Sequence, residues 1–407
     1  MNIDNQISAI NTRNIISVVG KNCTGCGACA IECLKQCISL QPNEEGFLMP
    51  QVDINSCVHC GKCVRICPTQ AKAKIEKREP IDAYAATSKI QSETWGSSSG
   101  GMFYHAAKCM IEEMHGYVCG AVLDENLILH HIVSNSMDDV ARMQGSKYIQ
   151  SRVDTCYSEI QRLLKQQQNV LFCGTPCQVA GLLSVIGSND FLYTMDLVCH
   201  GVPSNLAFSA YIQKMYGADH FIDVTFRQKN NNIKSSFSYS YYKNKNKKKR
   251  ETLPAFQDPF YQAFLDGHNY RESCYSCLYA ESSRVGDITI GDCGNWRAYS
   301  LPTNLVLSTI LINTRKGQMI WKAICNDLEY VAADYSQECK LNKQLHAPTT
   351  RTAKRDVFYE DIRTLPLEQL QKKYCPHRNL KDKLVYFVLM HTTVQSRESI
   401  KCLLKRK

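Results

Sequence analysis

Apolar positions recur at helical spacing through MFYHAAKCMIEEMHG, residues 102 to 116, and then change to a strand-like pattern in YVCGAVLD and LILHHIV. CYSEIQRLLKQQQ reads as a helix leading into VLFCG at 170 to 174, an apolar run short enough for a buried strand. Helices and strands alternating in this way predict an α/β domain. It begins near residue 80, where the lysine-rich stretch KAKIEKREP ends at Pro80 and the composition shifts. Upstream, GFLMPQVDINS reads as a short strand and turn. Beyond about residue 330 the pattern is helical and ends in the basic KCLLKRK, read as a solvated tail rather than a membrane-docking end.

With 407 residues and 44% hydrophobic content, the chain can bury the cores of two or three domains. No apolar run approaches the ~20 residues that span a bilayer. The best candidate is LVYFVLM at 384 to 390, so no transmembrane segment is expected. The formal charge of +10 is concentrated: six basic residues fall in KNKNKKKR at 243 to 250, inside an asparagine- and lysine-rich stretch beginning near Lys229. That run reads as a solvated loop or hairpin tip, and no nucleic-acid partner is expected. MNIDNQISAI carries Asp4 and no apolar run follows it, which speaks against a secretory signal. The 22 cysteines are then expected to be cytoplasmic and reduced, which leaves metal sites rather than disulfides.

The cysteines are not scattered. CTGCGACAIEC places Cys23, Cys26, Cys29 and Cys33 in eleven positions, and CVHCGKCVRIC repeats the spacing at Cys57, Cys60, Cys63 and Cys67. Each cysteine of the second copy lies 34 positions after its counterpart, so the two form an internal repeat. In CxxCxxCxxxC three thiolates surround one cluster and the fourth serves the neighbouring one. Cys23, Cys26, Cys29 and Cys67 are therefore expected to hold one 4Fe-4S cluster, and Cys57, Cys60, Cys63 and Cys33 a second. Zinc pairs two CxxC units and has no use for the third and fourth thiols of each run. Gly25, Gly27 and Gly61 let backbone N–H groups approach the cluster sulfurs. The region resembles bacterial dicluster ferredoxins, although Cys67 is followed by the customary proline and Cys33 by Leu34. Cys37 reads as a small buried hydrophobe rather than a ligand.

Two glycine-rich turns could carry chemistry in the larger domain. GSSSGGMF at 96 to 103 opens a predicted helix and could face a phosphate, with ordinary capping as the alternative. In CGTPCQVAG at 173 to 181 a buried strand ends, and Cys177 starts the next helix, where the dipole favours a thiolate. His130 and His131 show no metal-ligand spacing.

GSKYIQS at 145 to 151, VLFCGTPCQVAGL at 170 to 182, LYTMDLVCHGVPS at 192 to 204 and CYSCLYAESSRVGDITIGD at 274 to 292 occur in the order of the coenzyme F420 hydrogenase/dehydrogenase beta-subunit family. The resemblance extends from about Ser97 to NLVLSTILINTRKG, with an echo in HAPTTRTAKRDVFYE. It implies an FAD site and a third 4Fe-4S cluster, with Cys177, Cys199, Cys274 and Cys277 as ligands. By the same matching Ser99, Gly100, Gly101, Gly145, Ser146, Lys147, Tyr148, Gly174, Thr175 and Pro176 are candidates to line the flavin pocket. Lys147 would face the pyrophosphate or the flavin N1/C2 carbonyl, or else be a surface lysine. His200 would donate a proton beside the flavin or fix the loop after Cys199. Asp287 and Asp292 would orient the cluster loop or cap a turn. CGNW at 293 to 296 departs from the family pattern, as does the stretch at 229 to 250.

The expected fold class is thus α+β to α/β. A dicluster ferredoxin domain occupies 1–79, a larger mixed α/β flavin-binding domain 80–330, and a helical extension 331–407. The implied function is an iron-sulfur flavoprotein oxidoreductase that takes electrons from ferredoxin or another redox partner protein to FAD and a small-molecule substrate. Some similar bacterial chains belong to surface-polysaccharide gene clusters. The alternative is a non-catalytic electron-transfer subunit of a larger redox complex.

Overall fold

The structure is a computed structural model. It describes residues 14–70, 75–216, 224–230, 233–242, 250–301 and 306–376. The opening decapeptide, LVYFVLM, KCLLKRK and positions 243–249 of the basic run lie outside the described residues. No helix among the described residues is long and apolar enough to cross a membrane.

The N-terminal segment is built from scant secondary structure. Three short helices, Ile15–Val19, Ala28–Ile31 and Lys62–Ile66, flank a hairpin of β1 (Ile38–Pro42) and β2 (Leu48–Val52). Its buried cluster comprises nine residues, five of them cysteines. So small an aliphatic core needs a metal or a docking surface to hold it.

The rest of the chain is organised on an eight-stranded sheet. Its strands are β3 (Asp82–Ser88), β4 (Tyr117–Leu123), β5 (Leu129–Ser134), β6 (Val170–Gly174), β7 (Leu192–Leu197), β11 (Ile288–Asp292), β12 (Ser308–Ile312) and β13 (Leu328–Ala332), in the order β13-β3-β12-β11-β7-β6-β4-β5. The centre, β11-β7-β6-β4, is parallel, and β5, β12 and β13 run the other way. Strand alternation sends Val118, Val122 and Leu171 to one face and Cys119, Val170 and Phe172 to the other. The first face packs against the helices Met102–Lys108 and Arg315–Ile324, the second against Asp154–Lys165 and Pro176–Ile186. Three layers result, as the alternating pattern predicts.

A smaller antiparallel sheet joins β8 (Val224–Asn230), β9 (Ile233–Tyr242) and β10 (Arg250–Pro254), so the strands on either side of the basic run form a hairpin. After β13 the described chain is helical at Tyr335–Leu341, Lys354–Thr364 and Leu367–Tyr374. Phe358, Tyr359 and Tyr374 of these helices share an aromatic core with Phe260, Phe264 and Tyr270 and with Phe47 of the N-terminal segment. One local expectation changes. The helix beginning at Met102 widens into a π-helical turn at Cys109–Glu113, where Cys109 and Met110, adjacent in sequence, are both buried.

Candidate metal centres and cofactor crevice

Cys23, Cys26, Cys29 and Cys67 line one cavity together with Gly25, Gly27 and Leu40. Burial pushes the Cys26 thiol up to about 12, and the neighbouring Cys67 and Cys23 add to the rise, while a backbone hydrogen bond at Ala28 opposes it. Cys29 is raised further by burial and by the charges of Cys26, Cys23, Cys67 and Cys63. Thiols so placed ionise only with a cation among them. The backbone is shaped for sulfur: Gly25, at φ +71°, donates its N–H to Cys23 Sγ at 3.4 Å. A side chain there would strike the Gln150 amide at 2.6 Å and crowd Arg271.

The second group lies outward of the first. Cys63 is buried and feels the charges of Cys57 and Cys60, and Cys60 is exposed. Cys33 Sγ is 3.4 Å from Cys37 Sγ. Cys37 is buried, as its sequence reading expects, and it neighbours Cys57 as well.

The third group assembles from three separate turns. Cys177 starts the helix Pro176–Ile186, Cys199 follows β7, and Cys274 and Cys277 bracket the last turn of the short helix Glu272–Ser276. Burial raises all four thiols, Cys177 and Cys274 to about 12. Cys274 and Cys277 raise Cys177, and all three others raise Cys199, so the four thiols feel one another's charge. Arg271 lowers Cys177 and Cys274 in return. Tyr279 donates its N–H to Cys277 Sγ at 3.4 Å. Three all-sulfur groups, two of them with N–H···S contacts, are the donor chemistry that iron-sulfur clusters use. Among the described residues no three His, Cys, Asp or Glu groups form a single-ion site.

The first and third groups abut. A Cβ on Gly181 would lie 2.7 Å from Cys26 Cβ and 2.9 Å from the Tyr157 hydroxyl. Tyr157 donates to the Cys26 carbonyl at 2.8 Å, and Tyr279 to the Pro68 carbonyl at 3.2 Å. Buried Arg271 completes the joint, donating to the carbonyls of Cys23 at 2.5 Å and Leu48 at 2.9 Å and to Gln150 at 3.1 Å. Arg355, 1% exposed, clamps Glu45 through two 2.7 Å bonds.

The residues matched to a flavin pocket lie along the carboxyl edge of the parallel strands, where ligands bind in open α/β sheets. The runs 96–101 and 145–148 lie side by side, the Ser146 N–H donating to Ser98 Oγ at 2.7 Å. Ser99 donates to the Leu307 carbonyl, Ser308 donates to Ser99 Oγ, and the Gly100 N–H meets Ser308 Oγ, so these residues stitch the turn after β3 to β12. Gly101 is the N-cap of the helix Met102–Lys108. The Lys147 ammonium donates to the carbonyls of Arg142, Met143 and Gln144, which close the helix Met137–Met143. Tyr148 packs on Phe264 with ring centroids 4.5 Å apart. Gly174 ends β6, and Thr175 and Pro176 form the cap and first residue of the next helix, with the Thr175 hydroxyl 3.2 Å from Cys177 Sγ.

His200 is exposed, and its carbonyl accepts from Thr349. Partial desolvation lowers its pKa, with Asp292 opposing and Arg227 adding to the shift. Asp292 accepts from Arg227 at 2.6 and 2.8 Å, while Asp287 accepts from Thr194 and Thr314. CGNW is held by a carboxylate that no motif announced. Glu338, fully buried, accepts from the Gly294 and Asn295 N–H groups and from Thr309 and Tyr299. Arg271, Gly181 and Glu338 all act through partners distant in sequence, so no local pattern marks them.

Comparison with known proteins agrees with the sulfur geometry. Residues 22–71 match the 4Fe-4S dicluster domain, and residues 167–338 match the family described as the C terminus of the coenzyme F420 hydrogenase/dehydrogenase beta subunit. The two matched segments include the eight cysteines of the N-terminal repeat and the turns that carry Cys177, Cys199, Cys274 and Cys277. Among solved structures, a chain of the F420-reducing [NiFe] hydrogenase complex from Methanosarcina barkeri, studied by xenon derivatization, is 16% identical, with a TM-score of 0.44. That match covers 73% of this chain and 91% of the other. No curated protein matches.

Proposed function

We propose that this chain is the iron-sulfur electron-transfer subunit of a redox assembly, accepting electrons from ferredoxin or a similar partner at residues 57–63 and delivering them within the larger domain. The observation that carries this reading is the seat of Cys26 on the helix that carries Cys177 in its first turn. Cubane clusters held by these thiolates supply one-electron steps, and a flavin exchanges single electrons for a hydride.

The chain's own residues set the spacing. Cys177 and Gly181 lie about one turn apart, a rise of about 6 Å along the helix. Gly181 admits Cys26 against the helix, and Tyr157, Tyr279 and Arg271 fix that approach by gripping backbone carbonyls around the first thiol group. Exposed Cys60 leaves the second group open to a docking protein. The N–H groups of Gly25 and Tyr279 stabilise negative charge on sulfur.

A second reading, an FAD-dependent oxidoreductase acting on a small organic molecule, is favoured by the convergence of the 96–101 and 145–148 runs at the carboxyl edge of the sheet. There FAD would occupy the crevice, and His200, with Arg227 and Asp292 close by, could exchange a proton with substrate. A cytoplasmic setting would keep the thiols reduced.

Anaerobic purification followed by iron, sulfide and flavin analysis tests both readings. About twelve irons per chain support the three thiol groups, and one FAD supports the second reading. Iron-free protein containing zinc overturns both. Cys60→Ala should slow reduction by ferredoxin while dithionite still reduces the protein, and unaltered ferredoxin-driven reduction would refute entry at residues 57–63.

A further inference from the structure

The second thiol group contains one sulfur more than a cubane needs. Cys57, Cys60 and Cys63 supply three, and the sequence repeat assigns the fourth to Cys33. The turn after Cys33 brings in a fifth. Gln36, at φ +50°, donates its N–H to the Cys33 carbonyl at 2.8 Å and folds the chain back on itself. That places Cys37 at the entrance to β1, where the Asp53 N–H holds its carbonyl at 2.8 Å. The two sulfurs, Cys33 Sγ and Cys37 Sγ, are then 3.4 Å apart, and Cys37 also neighbours Cys57. Both can reach the same corner of a cluster, since a metal–thiolate bond is about 2.3 Å long.

We propose that Cys33 and Cys37 are interchangeable ligands to one iron of the second cluster, an inference that rests on the iron-sulfur reading of residues 57–63. In the exchange the iron–sulfur bond to Cys33 breaks as the bond to Cys37 forms. The proton of the incoming thiol passes to the outgoing thiolate, and no electron is transferred. Leu34 in place of proline suits this arrangement. The exit from Cys33 is not locked at a fixed φ, and Leu34, 83% exposed, is held by no packing. The buried thiol is thus a reserve at the site most exposed to solvent.

The test uses Cys33→Ala, Cys37→Ala and the double variant, purified anaerobically as full chains. Alanine is chosen because a serine hydroxyl could bind iron. Each single variant should keep the wild-type iron and sulfide content and show no three-iron EPR signal on mild oxidation. The double variant should lose about one iron of twelve and show that signal. A three-iron signal in Cys33→Ala alone, or an intact four-iron cluster in the double variant, would overturn the exchange. Cys33→Ala decides the matter even where the double variant does not fold. Absence of iron in the wild-type chain would instead remove the reading on which the inference rests.

Discussion

Gly181 has no room for a methyl group. Its Cβ position is 2.7 Å from Cys26 Cβ and 2.9 Å from the Tyr157 hydroxyl, closer than real side chains come. Gly181→Ala should therefore push the dicluster segment off the helix and destabilise the holo-protein by about 1–3 kcal/mol. Chemical denaturation followed by cluster absorbance measures it, and an unchanged midpoint would mean the helix and the Cys26 loop have slack. His131 gives a prediction in pH. It is buried between Ser151 Oγ at 2.7 Å and the Cys173 carbonyl at 3.0 Å, and burial lowers its pKa to about 4. The unfolded chain takes up this proton near pH 6.5 and the folded chain only near 4, so stability present above 6.5 is lost as pH falls through that window. His131→Gln should flatten the slope of melting temperature against pH between about 6.5 and 4. The meeting of Cys23, Cys26, Cys29 and Cys67 in one cavity was legible at this scale, because the spacing of the repeat predicts it. Gly181 was not, since a glycine within a helix says nothing of what approaches it.

Strands were legible where period and chemistry agree, as in VLFCG and YVCGAVLD. The π-helical turn at Cys109–Glu113 was not legible, since no residue pattern in that run marks it. The CGNW loop shows the same limit. Its anchor, Glu338, arrives from a helix more than forty positions away. Glu338→Ala should leave the Gly294 and Asn295 N–H groups and the Thr309 hydroxyl without their acceptor, at roughly 1–3 kcal/mol for each group that water cannot reach. Rapid amide hydrogen exchange confined to 293–299 would confirm the local loss, and unchanged protection there would show that the loop stands without it. Lys147 carries both a motif match and a local role at a helix end. Matching motifs nominates it for a flavin, while the structure sets its ammonium on three carbonyls at a helix end.

At the scale of the whole molecule, the dicluster segment owes little to its own apolar side chains, with five cysteines among nine buried core residues. Chelating the iron should leave the eight-stranded sheet folded while residues 14–70 become the first site of limited proteolysis. Cleavage elsewhere first, or a fully protected segment, would show that docking alone suffices. The shift in composition near residue 80 is the sequence's own expectation of a division there. The joint across it was not legible, because Arg271 and Arg355 reach back more than two hundred positions to Cys23 and Glu45.

That reach orders the birth of the protein. The Cys23 carbonyl leaves the ribosome 248 residues before the guanidinium that will cover it, an interval on the order of 10–50 s at ordinary rates of synthesis. For that time eight closely spaced thiols stand exposed on the nascent chain, so the delivery of iron and sulfide must either wait for translation to finish or proceed under a chaperone's cover.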